Sequence, residues 1–554
     1  TTVVQATEII NQNWQPTYDL VVLPSQAPVP AGNNIPADLL QGYNGGISMQ
    51  QYEQIKHLPH IEVAAPIAYI GYVALPSPTI YLPQNYSEGY YQLTWTLNAF
   101  DGQRHLVEYQ KQEVIYLPPS SCRDRSVEDT QHQLALLKAL EGQGIEYLGC
   151  DANGHPILTF SSPDTGSFLL AAIDPDAESR LLHLEKSVIT GRMLMMQDTV
   201  HPDQRMPLGY PVYNEKTHQV KTVPIEAIPM LLHQQLPGQI ALNLQFTQLK
   251  QGTMTFQQLQ ALGGARYLTH LPSPKTLFNT QVPLVQNDPQ RFSGTDLQWD
   301  GHSWQVIPPL DPNHDSLAPL LLNFSAASTP AGLSYQSATA PDGSPAYSLV
   351  PVGTQGPEVA FRTLHPLQTL QKPMVDVVYT YQVVGQFHDD KLTAQFSNPL
   401  NWLPENTYTV PPIIRRYNAQ GQPVTPTPLL PTTNSAGYVM QPPLALTTLA
   451  AAVQLKGDHV ISAIRVRVAG VDRANPDSWK RIQQVAGEIE QRLHLPVVVM
   501  LGSSPQPVLV SVPGVKQGQL GAKQNIAPVG WVEERWIHIG AAIVYLSQLG
   551  ATRL

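Results

Sequence analysis

The chain has 554 residues, of which 42% are hydrophobic, so it is long enough to bury more than one hydrophobic core. Its formal net charge of −10 is spread along the chain without a basic block, which argues against nucleic acid as a partner. Charged residues make up only 13% of the chain and 52 residues are prolines, a composition that favours sheets and turns over a helical bundle.

The amino-terminal part, residues 1–75, has the pattern of a strand, a helix and a second strand. Residues 18–23 (YDLVVL) predict a short strand. Ser48 and Gln51 have the spacing of a capping box, which predicts that a short helix begins at this point. Residues 61–75 (IEVAAPIAYIGYVAL) then predict a long or bent strand.

Residues 76–440 change to short segments bounded by prolines, and we predict a β-rich region with two subdomains and a break near 195–240. Residues 374–384 (MVDVVYTYQVV) are a strong strand candidate within this region. Residues 420–433 (QGQPVTPTPLLPTT) are interpreted as a linker that its prolines keep extended.

Cys122 and Cys150 are the only cysteines of the chain. They flank a helix that the apolar spacing predicts over residues 126–141. A disulfide between them would contribute about 3 kcal/mol by restricting the unfolded chain. Two buried free thiols are the alternative, and the sequence leaves both open.

Two groups of carboxylates invite comparison with a glycosidase, whose two carboxyl groups stand about 5 to 9 Å apart across the sugar. One group is Asp389 and Asp390, and the other is Asp174, Asp176 and Glu178. The second group also resembles a calcium-binding loop, but it lacks the glycine and the distal glutamate of such a loop. Capping and turn formation explain both groups better, because neighbouring side chains on a turn point apart. The 17 histidines form no spaced ligand motif, so no catalytic, cofactor or metal site is predicted.

The carboxy-terminal part, residues 441–554, carries a second strand–helix–strand unit. Arg465 and Arg467 alternate with aliphatic residues (AIRVRV), which predicts a strand with one dry and one wet face. Asn475 is expected to cap the following helix, and residues 497–501 (VVVML) predict a strand that is covered on both faces. The two arginines either hold an anionic partner or form an ordinary solvated face.

Trp531 and Trp536 lie in the closing segment GWVEERWIHIGAAIVYL, which is amphipathic. An amphipathic segment of this kind is typical of chain that lies against a membrane surface. The alternative is that both tryptophan side chains are buried in a core. Because the chain begins with Thr1 and not with methionine, we expect it to be cut from a longer protein.

The two strand–helix–strand units together predict an α+β fold in which both chain ends form a split βαβ subdomain of the ferredoxin-like kind. The β-rich residues 76–440 are then a large insertion between the two halves.

Several stretches resemble the extracytoplasmic domain of MacB-like and FtsX-like permeases of ABC transporters. In chain order they are YDLVVL with ISMQQYEQIKHLPHIEVAAPIAYIGYV, then AAIDPDAESRLLHLEKSVITGRML, then ISAIRVRVAGVD with RIQQVAGEIEQRLHLPVVVMLGSSPQPV. The closing segment GWVEERWIHIGAAIVYL is similar to the lead-in to the family's second membrane helix. Residues from about 195 to 440 match only loosely, and the insertion is much larger than is usual in the family.

The resemblance implies a porter-like subdomain beside the membrane, on the extracytoplasmic side of a bacterial cell, anchored by membrane helices in the full-length protein. It implies no enzymatic activity, a cognate ABC ATPase reached through the membrane part, a second permease protomer, and an extracytoplasmic partner or substrate that the sequence does not identify. Arg465, Arg467, Trp531 and Trp536 are the residues we expect to face partners. The rival predictions are a secreted multidomain hydrolase or carbohydrate-active protein, and a structural cell-surface module.

Overall fold

The computed structural model describes residues 15–27, 34–36, 38, 40–74, 79–83, 86–118, 138–148, 158–161, 167–205, 208–214, 219–234, 238–283, 296–307, 327–367, 370–372, 376–390, 392, 407–410, 412–472 and 475–539. These residues form a mixed α+β protein in which most of the regular structure is strand, and the predicted fold class is confirmed at this level. Cys122 and Cys150 lie outside the described residues, so their disulfide stays a prediction.

The helices begin and end where local capping signals place them. Along the described chain they are α1 Met49–Lys56, α2 Pro175–Leu182, α3 Phe256–Leu262, α4 Ala265–Thr269, α5 Leu449–Lys456 and α6 Pro476–Leu493. Ser48 and Gln51 form the predicted capping box of α1, and the Asn475 side chain caps α6. Residues 138–141, the end of the helix predicted over 126–141, are helical, and the rest of that prediction lies outside the described residues.

The largest sheet has ten strands. With strands numbered along the described chain, they are β1 Leu20–Val22, β3 Ile61–Ala74, β9 Ser167–Ile173, β10 Val188–Gly191, β11 His201–Pro202, β14 Ile225–His233, β25 Val378–Phe387, β28 Ala445–Thr448, β29 Ala463–Val468 and β30 Val497–Val499. Their order is β10-β25-β14-β28-β9-β3-β29-β1-β30, and β11 pairs with β14. The strands β3, β29, β1 and β30 are antiparallel to their neighbours within this group.

Both faces of this sheet are covered. Helices α1, α5 and α6 pack on one face, with Tyr52, Leu455 and Ile482 among their buried side chains. Helix α2 packs on the opposite face through Leu181 and Leu182. The prediction that one face of the strand around Arg465 is exposed to solvent is therefore wrong. Strand β29 has neighbours on both sides in the sheet, and the core that contains α2 covers the face that was expected to be wet.

A second, seven-stranded sheet contains β2 Asn34–Ile35, β20 Tyr335–Thr339, β21 Pro345–Leu349, β26 Ile414–Tyr417, β27 Pro423–Pro428, β31 Ser503–Val512 and β32 Gly530–Ile539. Its order is β20-β21-β31-β32-β26-β27, and β2 pairs with β32. The segment predicted as a linker instead contains β27, an edge strand. The first part of the predicted membrane lead-in forms β32, and residues 540–554 lie outside the described residues.

The remaining strands form smaller sheets. A five-stranded sheet, ordered β16-β15-β5-β6-β7, contains β5 Gly89–Phe100, β6 His105–Leu117, β7 Ile145–Tyr147, β15 Gln239–Gln251 and β16 Lys275–Val282. A four-stranded sheet, ordered β18-β17-β4-β8, contains β4 Thr79–Tyr81, β8 Thr159–Ser161, β17 Asp296–Trp299 and β18 Trp304–Ile307. The two-stranded sheets pair β12 Tyr210–Asn214 with β13 Gln219–Val223, β19 Ala327–Pro330 with β24 Leu364–Pro366, and β22 Gly353–Gln355 with β23 Glu358–Ala360.

The ten-stranded sheet takes strands from both chain ends and from the region 76–440, so the three predicted residue ranges share one core. The domain boundaries themselves stay a prediction. No helix among the described residues is both long and apolar enough to cross a membrane.

Candidate functional site

A buried ion pair joins strand β29 of the large sheet to helix α2. Arg465 of β29 and Glu178 of α2 both have side chains that are 0% exposed, and the Arg465 Nη2 donates to Glu178 Oε1. The two residues are 287 positions apart in sequence, so the contact joins two distant parts of the chain. Arg465 is therefore not a surface residue, and its predicted role in facing a partner is wrong.

Tyr408 completes this cluster. Its hydroxyl donates to Glu178 Oε1, and burial first, then the Glu178 charge, raises the pKa of Tyr408 well above its ordinary value. Among the described residues, Glu178 Oε2 has no hydrogen-bond partner. A carboxylate enclosed in this way depends strongly on its counter-charge, because removing one member of a buried pair leaves the other unbalanced.

Asp174 links α2 to the amino-terminal half of the chain. Its Oδ1 accepts the N–H groups of Asp176 at 3.1 Å and Ala177 at 2.9 Å, so it caps α2 as the sequence predicted. Its Oδ2 accepts the hydroxyl of Tyr52, which lies on α1, at 2.7 Å, and the Lys56 Nζ is 3.8 Å away. Asp174 and Glu178 thus serve a cap and an ion pair, and neither is placed as a catalytic acid.

Arg467 is the member of the predicted arginine pair that reaches the surface. Its side chain is 32% exposed, and its Nε lies 3.8 Å from the Glu62 carboxylate. Asp19 lies close by as a buried carboxyl whose Oδ2 accepts the Val468 N–H at 2.7 Å. Burial raises the pKa of Asp19 to about 6, while this hydrogen bond and the charge of Arg467 lower it. The partner-facing role of Arg467 stays a prediction.

Trp536 lies in the core of the seven-stranded sheet, and its predicted partner-facing role is wrong. Its side chain is 3% exposed and its ring stacks on Tyr347 with centroids 4.6 Å apart. Its Nε1–H donates to Glu534 at 2.6 Å, and the Tyr438 hydroxyl donates to the same carboxyl group. Burial raises the pKa of Glu534 to about 7. Trp531 is half-buried on β32, and its role stays a prediction.

The sequence did not suggest a second pair of carboxyl groups, Glu108 and Glu358. Glu358 lines a cavity of about 50 Å³ together with Asp101 and Arg104. Glu108 and Glu358 hydrogen-bond to each other. Burial, followed by the charge of Glu108, raises the pKa of Glu358 to about 8. Carboxyl groups that share a hydrogen bond are too close to flank a glycosidic bond, which needs about 5 Å or more between them.

Sequence reasoning missed the partners of these clusters because they are distant in sequence. Tyr408 is 230 positions from Glu178, and a further buried pair, Arg362 with Asp38 at 3.0 Å, spans 324 positions. One signal was present for the first cluster. An arginine between aliphatic residues of a strand, in a chain with few charges, indicates a buried partner when the strand lies inside a sheet with two covered faces.

Comparison of the chain with protein-family models, with curated proteins and with solved structures found no match. The interpretation of function therefore depends on the geometry of these clusters and on the sequence resemblance.

Proposed function

We propose that the chain is the extracytoplasmic domain of an ABC-type permease and that it transmits ATP-driven movement of membrane helices to a partner or substrate outside the membrane. The observation that carries this proposal is the pairing of the two chain ends. Strand β1 lies between β29 and β30, and β3 lies on the other side of β29.

The finer fold we propose is a split βαβ subdomain of the porter-like kind. Its first half is β1, α1 and β3, and its second half is β29, α6 and β30. The strand order β3-β29-β1-β30, with antiparallel neighbours, supports this assignment. Strand β29 lies between the two strands of the first half, and β1 lies between the two strands of the second half. Helices α1 and α6 pack into the same hydrophobic core on one face, as two such halves require.

The residues that carry the sequence resemblance also make the contacts between chain ends and insertion. The stretch AAIDPDAESRLLHLEKSVITGRML corresponds to β9, α2, a 3₁₀ turn at Leu184–Ser187 and β10. Within it Asp174 contacts α1 through Tyr52, and Glu178 contacts β29 through Arg465. These two contacts support a rigid connection between the porter-like subdomain and the inserted region.

The mechanism in this proposal is mechanical. A displacement of the chain ends moves β29 and β1, and the displacement passes to β9 and β28 because these strands belong to one hydrogen-bonded sheet. The buried ion pair opposes sliding of α2 over β29, since separated charges in the interior are costly. The seven-stranded sheet moves with the ten-stranded sheet because Ile537 of β32 packs into the core beside α2.

A hydrolase is the less favoured alternative. It needs two carboxyl groups across an open cleft, whereas Asp174 and Glu178 are engaged in a cap and an ion pair, and Glu108 and Glu358 touch each other. We therefore propose that the domain has no enzymatic activity of its own.

The proposal is tested most simply on the coding sequence around residues 1 and 554. We expect one apolar run of about 20 residues before residue 1 and three such runs after residue 554, the arrangement of a four-helix permease. A cleavable signal immediately before residue 1 together with a stop codon after residue 554 would instead indicate a secreted protein, and the hydrolase would then become the better proposal.

A further inference from the structure

Two histidines and two aspartates converge at one edge of the ten-stranded sheet, away from the ion pair of Arg465. Strands β14 and β25 are parallel neighbours, and His233 at the end of β14 is paired in register with Phe387 at the end of β25. His388, Asp389 and Asp390 follow β25 directly. The carboxyl ends of adjacent parallel strands bring side chains together at such an edge, which is where sheets of this kind place ligand sites.

His233 is the fixed part of this cluster. Its side chain is only 4% exposed, and the ring packs edge-on against Phe387 with centroids 4.9 Å apart. Its backbone N–H donates to the carbonyl of Leu444, the residue before β28, at 2.8 Å, so His233 is held from this side as well as by β25. The ring therefore presents Nε2 to Asp389 from a rigid position, at 3.5 Å from Oδ1.

The spacing of His388, Asp389 and Asp390 has the dimensions of part of a tetrahedral metal site. His388 Nδ1 is 3.5 Å from Asp389 Oδ1 and 3.3 Å from Asp390 Oδ2. The three potential ligand atoms of His388, Asp389 and Asp390 all lie within 4.8 Å of one another. Nitrogen and oxygen ligands at about 2.0 to 2.1 Å from a tetrahedral zinc ion stand about 3.3 Å from each other, so a metal fits with small adjustments.

The hydrogen bond at His388 also suits a cation. The Asp390 N–H donates to His388 Nδ1 at 3.1 Å, so this nitrogen carries the lone pair that a metal would take in place of the hydrogen bond.

We propose that His388, Asp389 and Asp390 form a binding site for a divalent transition-metal ion, and that zinc is the cation the site fits best. Imidazole nitrogen with carboxylate oxygen in a four-coordinate arrangement is characteristic of zinc, whereas magnesium and calcium prefer oxygen ligands in larger numbers. Three protein ligands leave one tetrahedral position for a water molecule. His233 lies 3.5 Å from Asp389 Oδ1 and holds that ligand in place.

The experiment uses untagged protein that has been stripped with a chelator and is then titrated calorimetrically with zinc chloride. Wild type is expected to bind one zinc ion at this site and to gain thermal stability with zinc concentration. The variants His388→Gln, Asp389→Asn and Asp390→Asn are expected to bind at this site at least 10- to 100-fold more weakly, because loss of even an outer-sphere partner has an effect of about this size. Cobalt(II) is expected to give the absorption of a tetrahedral complex in wild type.

Two controls separate loss of the site from loss of the fold. Asp390 is 85% exposed, so Asp390→Asn removes a ligand without disturbing the core, and its melting temperature in chelator is expected to equal that of wild type. His57→Gln removes an exposed histidine that lies 3.9 Å from Glu53, and zinc binding is expected to be unchanged. The site does not exist if the three ligand variants bind zinc as wild type does, or if cobalt gives no tetrahedral spectrum.

Discussion

Replacing Arg465 with methionine is expected to lower the free energy of unfolding of the ten-stranded sheet by about 3 to 5 kcal/mol, because the Glu178 carboxylate is left buried without its counter-charge. Both side chains are 0% exposed, so water cannot take over the role of the guanidinium. Hydrogen exchange of the β29 and β3 amides is the appropriate measurement, since it reports on this sheet separately from the others.

The neighbouring arginine provides a matched control. Arg467 lies two positions further along β29 with a side chain that is 32% exposed, so Arg467→Met is expected to change the same free energy by less than about 1 kcal/mol. The double variant Arg465→Met with Glu178→Met is expected to recover most of the loss, because no charge then remains inside. Equal effects of the two arginine variants would contradict the assignment of Arg465 as the buried member.

Replacing Trp536 with alanine is expected to destabilise the seven-stranded sheet by about 3 to 5 kcal/mol, the usual effect of removing a large buried aromatic side chain. The substitution removes the stacking partner of Tyr347 and the N–H donor to Glu534 together. Hydrogen exchange of the β31 and β32 amides measures this effect in the sheet where the residue lies.

Trp531, half-buried on the same strand, serves as the comparison for Trp536. Trp531→Ala is expected to be clearly less destabilising, since less apolar surface returns to water. Binding to anionic lipid vesicles distinguishes the core role from the membrane role that the sequence suggested for both residues. If Trp536→Ala abolished vesicle binding and left the sheet stability unchanged, Trp536 would be a membrane-contacting residue and its assignment to the core would be wrong.

Features that depend on neighbouring residues could be predicted from the sequence. The capping box of α1 and the Asn475 cap of α6 involve side chains three positions from their partners, so the pattern of residues is sufficient. The start of α2 at Asp174 follows the same rule. The α+β class was predictable for a similar reason, since apolar periodicity is a local property.

Features that depend on distant strands could not be predicted in this way. Helix α2 covers the face of β29 that was expected to be wet, although the two elements are almost three hundred positions apart in sequence. The apolar periodicity of β29 carries no information about such a distant helix. The prolines of β27 indicated a linker, but an edge strand also tolerates proline because one side of its backbone makes no ladder bonds. His233 and His388 are neighbours only because β14 and β25 are parallel, so no spaced motif showed them.

The proposed transmission of nucleotide-driven movement from the porter-like subdomain to the inserted region is tested most directly by pulsed electron–electron double resonance. The experiment uses the full-length protein with its ATPase and spin labels at exposed positions. A label on Gln483 of α6 is paired with one on Gln260 of α3 in the inserted region, or with one on Gln54 of α1 as the control. We expect ATP to leave both distances unchanged, because the porter-like subdomain and the inserted region are rigidly connected, and to shift the distance between single Gln260 labels in two neighbouring protomers. If the distance between protomers does not respond to ATP, the domain does not act as a mechanical transmitter, and a change in the Gln483–Gln260 distance would contradict the rigid connection.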